Sequence, residues 1–372
     1  MPMKVALVYD RVVKWGGAER VLLVLHEMFP NAPLYTAVYN PGKAPWAKVF
    51  PKVIPTYLQK ISLFRSFHEL LAPFVPMAFE TFDFSGYDLV ISVTSEAGKG
   101  IITKPPTKHI CYCLTPTRYL WSARRFYSKD PQKPFNLIPF YSSLSKPLLS
   151  YTRSWDQVAS ARPDEIVAIS TAVRKRIKKY YYRDSQVIYP PVDTQIFKKA
   201  SGKLSRWTNR SGYFLVVSRL VPYKKTDLVI RAFNLLGLPL VIVGTGSQER
   251  FLKRIAKSNI KFTGFVNDTR LVEIYKGARA LIYPQVEDFG MTSVEAQALG
   301  VPVIALKKGG AEDTVIDGKT GIFFGKQTVD SLVDAVKRFD RMKFKTQNLV
   351  DNAENFSKSK FKENLSYLIN NA

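Results

Sequence analysis

Cysteine is nearly absent: Cys111 and Cys113 are the whole complement of the 372-residue chain. Two cannot frame a disulfide scaffold, and their C-x-C spacing puts both on one face of a strand, where core packing in a reduced compartment is the expected use. Histidine is also scarce. His26, His68 and His109 are the only three, which disfavours His-rich metal chemistry and Ser–His–Asp hydrolysis. No apolar run approaches the ~20 residues needed to span a bilayer, so an integral membrane protein is not expected. Three phosphate- and acyl-handling signatures are missing as well. There is no G-x-G-x-x-G for a dinucleotide, no G-x-S-x-G nucleophile elbow and no D-x-D pair for a metal-bound diphosphate. The first strand begins almost at once, at Lys4, so no signal peptide is expected ahead of it.

Acidic residues are outnumbered, 30 Asp+Glu against 55 Lys+Arg, for a formal charge of +25. Such an excess favours anionic partners: nucleic acid, an anionic lipid surface or a phosphorylated substrate. The Arg174–Lys179 run reads as a solvated helix face, and no nucleic-acid fold signature accompanies it.

The remaining pattern is α/β. Near-continuous apolar strands at Val5–Tyr9, Leu89–Val93, Ile110–Cys113, Ile166–Ile169 and Val187–Tyr189 alternate with helical stretches such as Ala18–Phe29. A second series runs through Phe214–Val217, Leu240–Val243, Ile260–Phe262, Ala280–Tyr283 and Val303–Ala305. Strands buried on both faces and separated by helices indicate parallel sheets. Pro190-Pro191 and the basic, polar stretch Lys198–Arg210 break the pattern between the two series. The expectation is two doubly wound, Rossmann-like domains: residues 1–195, joined by a C-terminal helix at 357–372, and residues 196–356. Ligands of such sheets bind at the carboxyl ends of strands, and the cleft between two such domains is the default site.

Three segments at strand ends carry candidate chemistry. Trp15-Gly16-Gly17-Ala18 opens a helix after the first strand, where glycines admit a phosphate to free backbone N–H groups; a tight turn is the equal alternative. Arg219 and Lys224, in Ser218-Arg219-Leu220-Val221-Pro222-Tyr223-Lys224, supply the guanidinium fork and point cation that a pyrophosphate needs; alone, a surface basic cluster would explain them. Glu287-Asp288-Phe289-Gly290-Met291, followed by Glu295, sets two glutamates eight residues apart across a loop and a helix start. Backbone at Phe289, Gly290 and Met291 can face an anion, though Glu287 by itself would also serve as a helix cap.

Taken in order, these segments resemble glycosyltransferase family 4, retaining enzymes of the GT-B architecture. The resemblance continues through Pro190-Pro191-Val192-Asp193, Val243-Gly244-Thr245-Gly246, Thr263-Gly264-Phe265-Val266, Gly300-Val301-Pro302 and Gly309-Gly310. Tyr112-Cys113-Leu114-Thr115-Pro116 is similar to a subgroup of bacterial mannosyltransferases of polysaccharide and lipopolysaccharide assembly, except that Leu114 stands where that subgroup has histidine.

The resemblance implies a nucleotide-sugar donor on the second domain, with no cofactor and no metal. Glu295 would bind the ribose, backbone at Gly264 and Phe265 the base, Arg219 and Lys224 the diphosphate, and Glu287 the sugar hydroxyls. Gly16 and Gly17 would cover the diphosphate, and Leu114 and Arg118 would lie on the acceptor side. GDP-mannose is the first expectation for the donor and a UDP-sugar the second, with a glycan or lipid-linked glycan as acceptor. The apolar stretch Tyr57–Met77 and the basic-aromatic group Arg124, Arg125, Phe126, Tyr127 and Lys129 suit peripheral attachment at an anionic, cytoplasmic membrane face, although core packing also explains the first. The rival readings are a non-catalytic nucleotide-sugar-binding relative and a sugar-nucleotide epimerase.

Overall fold

The structure, a computed structural model, describes residues 3–60, 74–122, 141–195 and 212–371. The central part of the apolar stretch after Tyr57, the Arg124–Lys129 group and the Lys198–Arg210 stretch lie outside the described residues. The chain forms two compact units, Met1–Tyr189 with Leu365–Ala372, and Pro190–Asn364.

The first unit holds seven parallel strands: β1 (Val5–Tyr9), β2 (Leu34–Thr36), β3 (Val53–Pro55), β4 (Leu89–Thr94), β5 (Lys108–Cys113), β6 (Glu165–Ala168) and β7 (Gln186–Val187). Their order is β3-β2-β1-β4-β5-β6-β7. Helix α1 (Gly17–Met28) follows β1, α2 (Val75–Glu80) precedes β4, α3 (Tyr141–Ala159) precedes β6 and α4 (Thr171–Tyr181) follows it. The Ser170 hydroxyl accepts from the Val173 N–H at 3.1 Å and starts α4. Cys111 and Cys113 are free and buried, and both sit in β5.

The second unit holds six: β8 (Tyr213–Val217), β9 (Leu240–Val243), β10 (Ile260–Gly264), β11 (Ala278–Tyr283), β12 (Val303–Leu306) and β13 (Gly321–Phe324), in the order β10-β9-β8-β11-β12-β13. Its helices are α5 (Thr226–Leu236), α6 (Glu249–Ile255), α7 (Asp268–Gly277), α8 (Met291–Ala298), α9 (Ala311–Thr314), α10 (Val329–Phe339) and α11 (Thr346–Glu354). Helix α12 (Lys358–Asn371) ends the chain, and its residues from Leu365 onward are grouped with the first unit.

Helix α5 shows how sequence makes these layers. Leu228, Val229, Ala232 and Phe233 recur at helical spacing and are buried in the unit's core with Phe214, Ile242 and Phe339. Leu228, Val229 and Phe233 each contribute roughly 1.5–3 kcal/mol by leaving water. Each unit is a doubly wound α/β domain built on a parallel sheet, as expected from the sequence. Sequence reading missed β2, β3 and β13. The first two are three residues each at one end of their sheet, too short to display a period. β13 begins at Gly321 and spans only four residues.

In each sheet one position reverses the winding: between β1 and β4 in the first, between β8 and β11 in the second. Outside the carboxyl ends of the strands at such a reversal, the following loops part and leave a crevice.

Candidate functional site

At the second unit's reversal, the loop after β8 carries Arg219 and Lys224 and the loop after β11 carries Glu287. The structure joins these loops through an ion pair between the Lys224 ammonium and the Glu287 carboxylate, their side chains 13% and 23% exposed. Arg219 is exposed and its Nη2 donates to the Tyr223 hydroxyl at 2.7 Å. The Lys224 ammonium lies 5.5 Å from the Tyr223 ring centre. A short 3-10 turn, Pro222–Lys224, carries Tyr223 and Lys224 ahead of α5. A polar ligand here meets two cations and a carboxylate within one short stretch of surface.

Neighbouring loops brace this arrangement. The Leu220 N–H donates to the Thr245 carbonyl at 2.9 Å, the Gln248 N–H to the Leu220 carbonyl at 2.9 Å and the Gly244 N–H to the Gly264 carbonyl at 2.8 Å. Thus the ends of β8, β9 and β10 are tied together. Gly264 is followed by Phe265, a side chain 83% exposed at the same edge.

The Glu287 loop is shaped by glycine. Gly290 caps α8 with φ of 101°, a left-handed conformation that disfavours any side chain. A Cβ on Gly310 would lie 2.1 Å from the Phe289 carbonyl oxygen, and the Gly310 N–H instead donates to the Glu287 carbonyl at 2.9 Å. Phe289 is buried against Phe356, ring centres 5.5 Å apart. The first N–H groups of α8, from Met291 onward, carry the positive end of the helix dipole. Helix α8 is fixed from behind: Gln297 Nε2 donates to the Thr314 carbonyl at 2.7 Å and accepts at Oε1 from Asn352 Nδ2 at 2.7 Å.

The two glutamates differ in setting. Glu287 is partly open, whereas Glu295 is only 3% exposed and accepts from the Tyr275 hydroxyl at 3.4 Å.

The other expected residues belong to the first unit. Gly16 caps α1, and Gly17 is its first residue. That turn is held by Glu19, buried in the first turn of the helix and accepting from the Tyr9 hydroxyl at 2.7 Å. Burial, then the Glu19 carboxylate, pushes the Tyr9 phenol well above its ordinary range. Leu114 and Arg118 are half-buried in the loop after β5.

Sequence reading missed what organises that loop. Asp156 of α3 is 1% exposed and receives four donors: Lys99 Nζ at 2.5 Å, Thr117 Oγ1 at 2.8 Å, Trp121 Nε1 at 2.7 Å and the Tyr181 hydroxyl at 2.8 Å. Burial alone would lower the Lys99 ammonium, but the Asp156 carboxylate outweighs it and the net shift is upward. Asp10, at the end of β1, was missed too. Its carboxylate accepts from Thr94 Oγ1 at 2.6 Å and from the N–H groups of Ser95, Glu96 and Gly98 at 2.8, 3.1 and 2.9 Å. Its place directly after a buried strand was the available signal. Asp156 had none, because its partners are distant in sequence.

Among the described residues, no group of three or more His, Cys, Asp or Glu is placed to hold a metal ion. No helix among them is long and apolar enough to cross a membrane.

Comparison with known proteins matches residues 201–356 to the family model described as glycosyl transferases group 1. Over 198 residues the chain is 31% identical to a GDP-mannose-dependent alpha-(1-6)-phosphatidylinositol monomannoside mannosyltransferase of Mycolicibacterium smegmatis, covering 46% of this chain and 52% of that one. It is 26% identical over 221 residues to the O-antigen chain mannosyltransferase C of Escherichia coli, covering 56% and 57% of the two chains. The chain spans about half the length of the curated relatives it matches. The fold is similar to that of Anabaena HepE solved in complex with UDP, with TM-score 0.69, 18% identity and full coverage of both chains. It is also similar to the lipopolysaccharide outer core galactosyltransferase WaaB, with TM-score 0.67, 18% identity and 99% of each chain.

Proposed function

We propose that this chain is a glycosyltransferase of the group 1 kind, moving a hexose from a nucleoside-diphosphate sugar to a glycan or lipid-linked glycan. The observation that carries the reading is the Lys224–Glu287 pair beside Arg219 at the β8/β11 reversal, within the segment that matches the family model.

In this reading Arg219 and Lys224 hold the diphosphate and take up the charge that grows on it as the glycosidic bond breaks. Their interaction is stronger in the transition state than with the bound donor, so it speeds the chemical step. Glu287 leaves Lys224 to accept hydroxyls of the transferred sugar, with backbone at Phe289, Gly290 and Met291 beside it. Glu295 takes the ribose hydroxyls, and Gly264 with Phe265 borders the base. Gly16 and Gly17 offer backbone N–H groups to the diphosphate, and Leu114 and Arg118 serve the acceptor. With cations supplied by the chain, neither metal nor cofactor is needed. The anomeric configuration is retained, the leaving phosphate accepting the proton of the attacking hydroxyl on the same face.

Mannose is the favoured sugar and GDP-mannose the favoured donor, because both relatives described above are mannosyltransferases; the UDP in the HepE complex keeps UDP-sugars as the second choice. The working location is the cytoplasmic face of an anionic membrane, supported by the +25 charge. Equal co-sedimentation with neutral and anionic vesicles would refute that placement.

The test is a donor panel. Purified protein is given GDP-mannose, UDP-glucose or UDP-galactose with manno-oligosaccharide or lipid-linked acceptors, and product is scored with its anomeric configuration. Transfer from one donor with retention is expected. A protein that binds but never turns over a donor is instead the non-catalytic relative.

A further inference from the structure

The first unit's own reversal, between β1 and β4, holds a second acid–cation pair. Arg11 follows β1, Glu96 follows β4, and their guanidinium and carboxylate form an ion pair with side chains 13% and 24% exposed. Lys224 and Glu287 occupy the equivalent place in the second unit at 13% and 23%. We infer that the Arg11–Glu96 pair is a binding site for the hydroxyls of a sugar, the site on which the first unit holds its acceptor.

Three observations set this pair apart from an ordinary surface contact, which contributes little to stability. First, the loop bearing Glu96 is pinned: Asp10 gathers the N–H groups of Ser95, Glu96 and Gly98 and the Thr94 hydroxyl, all within 3.1 Å. A carboxylate on a rigid loop suits a ligand whose hydroxyls lie at fixed spacing. Second, the Lys99–Asp156 pair fastens the next loop, through Thr117 and Trp121, beside the same edge. Third, the pair is electrostatically tense. Burial raises the Glu96 carboxyl above its ordinary range, Arg11 draws it back and Asp10 raises it further. The Tyr119 hydroxyl, in the loop after β5, is pushed up by burial and then by Glu96. A carboxyl so perturbed at a sheet's ligand edge is a mark of a working site. The chemistry follows from the groups. A carboxylate accepts from vicinal hydroxyls while a guanidinium donates to hydroxyl or ring oxygen, so the pair recognises a polyol face.

The class of ligand rests on the proposed glycosyl transfer; the site itself does not. Full-length protein is examined by saturation-transfer NMR with the methyl glycosides of mannose, glucose and galactose, and GDP and UDP are titrated into the same samples. Wild type should bind at least one glycoside. Glu96→Gln and Arg11→Lys should weaken that binding by ~10-fold or more, the loss expected for a hydrogen bond to a charged group, with nucleotide affinity held within about two-fold. Absence of any glycoside signal from wild type overturns the inference. So does unchanged sugar binding in both variants, or an equal loss of nucleotide affinity. Failure of wild type to bind GDP or UDP strikes instead at the proposed function, whatever the sugars do.

Discussion

The two units place the same kind of device at the same topological point but secure it by different means. In the second unit, Lys224 and Glu287 stand on loops shaped by backbone: the left-handed Gly290, the close approach of Gly310 to Phe289, and main-chain hydrogen bonds among the ends of β8, β9 and β10. In the first unit, Arg11 and Glu96 stand on loops held by buried side-chain carboxylates, Asp10 and Asp156. Glycine and main-chain bracing shapes these loops without placing a charge beneath them. Carboxylate bracing buries charge, which is costly if a partner is lost. The second unit should therefore tolerate surface changes while failing in chemistry, and the first should be the more fragile in folding.

The largest effect follows from that fragility. Asp156→Ala leaves the Lys99 ammonium buried without its carboxylate, and the first unit should lose about 3–5 kcal/mol. The second unit's transition in denaturant should stay where it is. Replacing both partners, Lys99→Met with Asp156→Asn, should recover part of the loss, because the amide oxygen still accepts from the donors of Thr117, Trp121 and Tyr181 that reach it. A single-site loss under about 1 kcal/mol would end the contrast.

Next is chemistry in the second unit. Arg219→Ala or Lys224→Ala should lower kcat by ~10²–10³-fold, the cost of removing one transition-state charge contact, with folding unchanged by circular dichroism. Near-normal kcat would place the diphosphate elsewhere.

A smaller difference appears with pH. His109, fully buried in β5 beside Ser92 at 2.8 Å, is held at about 3 by burial, against 6.5 when exposed, even though Asp164 pulls the other way. The folded ring stays neutral while the unfolded one takes a proton, so stability falls as pH drops below the unfolded value. From about pH 7.5 to about pH 5 the first unit should lose about 2 kcal/mol through this group. Thermal unfolding against pH should show the first unit weakening ahead of the second, and His109→Gln should flatten that slope.

The smallest effect is expected at Leu114. One orienting hydrogen bond contributes about 1 kcal/mol, so Leu114→His should change kcat/KM by no more than ~10-fold. An inert wild type rescued by this variant would favour the non-catalytic reading.

The same contrast explains what could be read from the sequence. The architecture was legible because both sheets are built of buried parallel strands whose apolar runs alternate with amphipathic helices. The second unit's segments were legible because glycines, Arg219, Lys224, Glu287 and Glu295 fall in one ordered series. Arg11, Glu96, Lys99 and Asp156 escaped notice because each looks like an ordinary polar residue until the fold joins segments that are 57 to 85 residues apart. The differing burial of Glu287 and Glu295 was equally hidden, since it depends on Tyr275 and the packing of α8.

The most direct test of the central claim is a calorimetric titration of GDP and UDP into wild type and Lys224→Ala. The account predicts that wild type binds at least one of the two and that the folded variant binds it at least ~10-fold more weakly, the loss of one charge-assisted contact. Equal affinity in the two proteins, or no binding of either nucleotide by wild type, would contradict it.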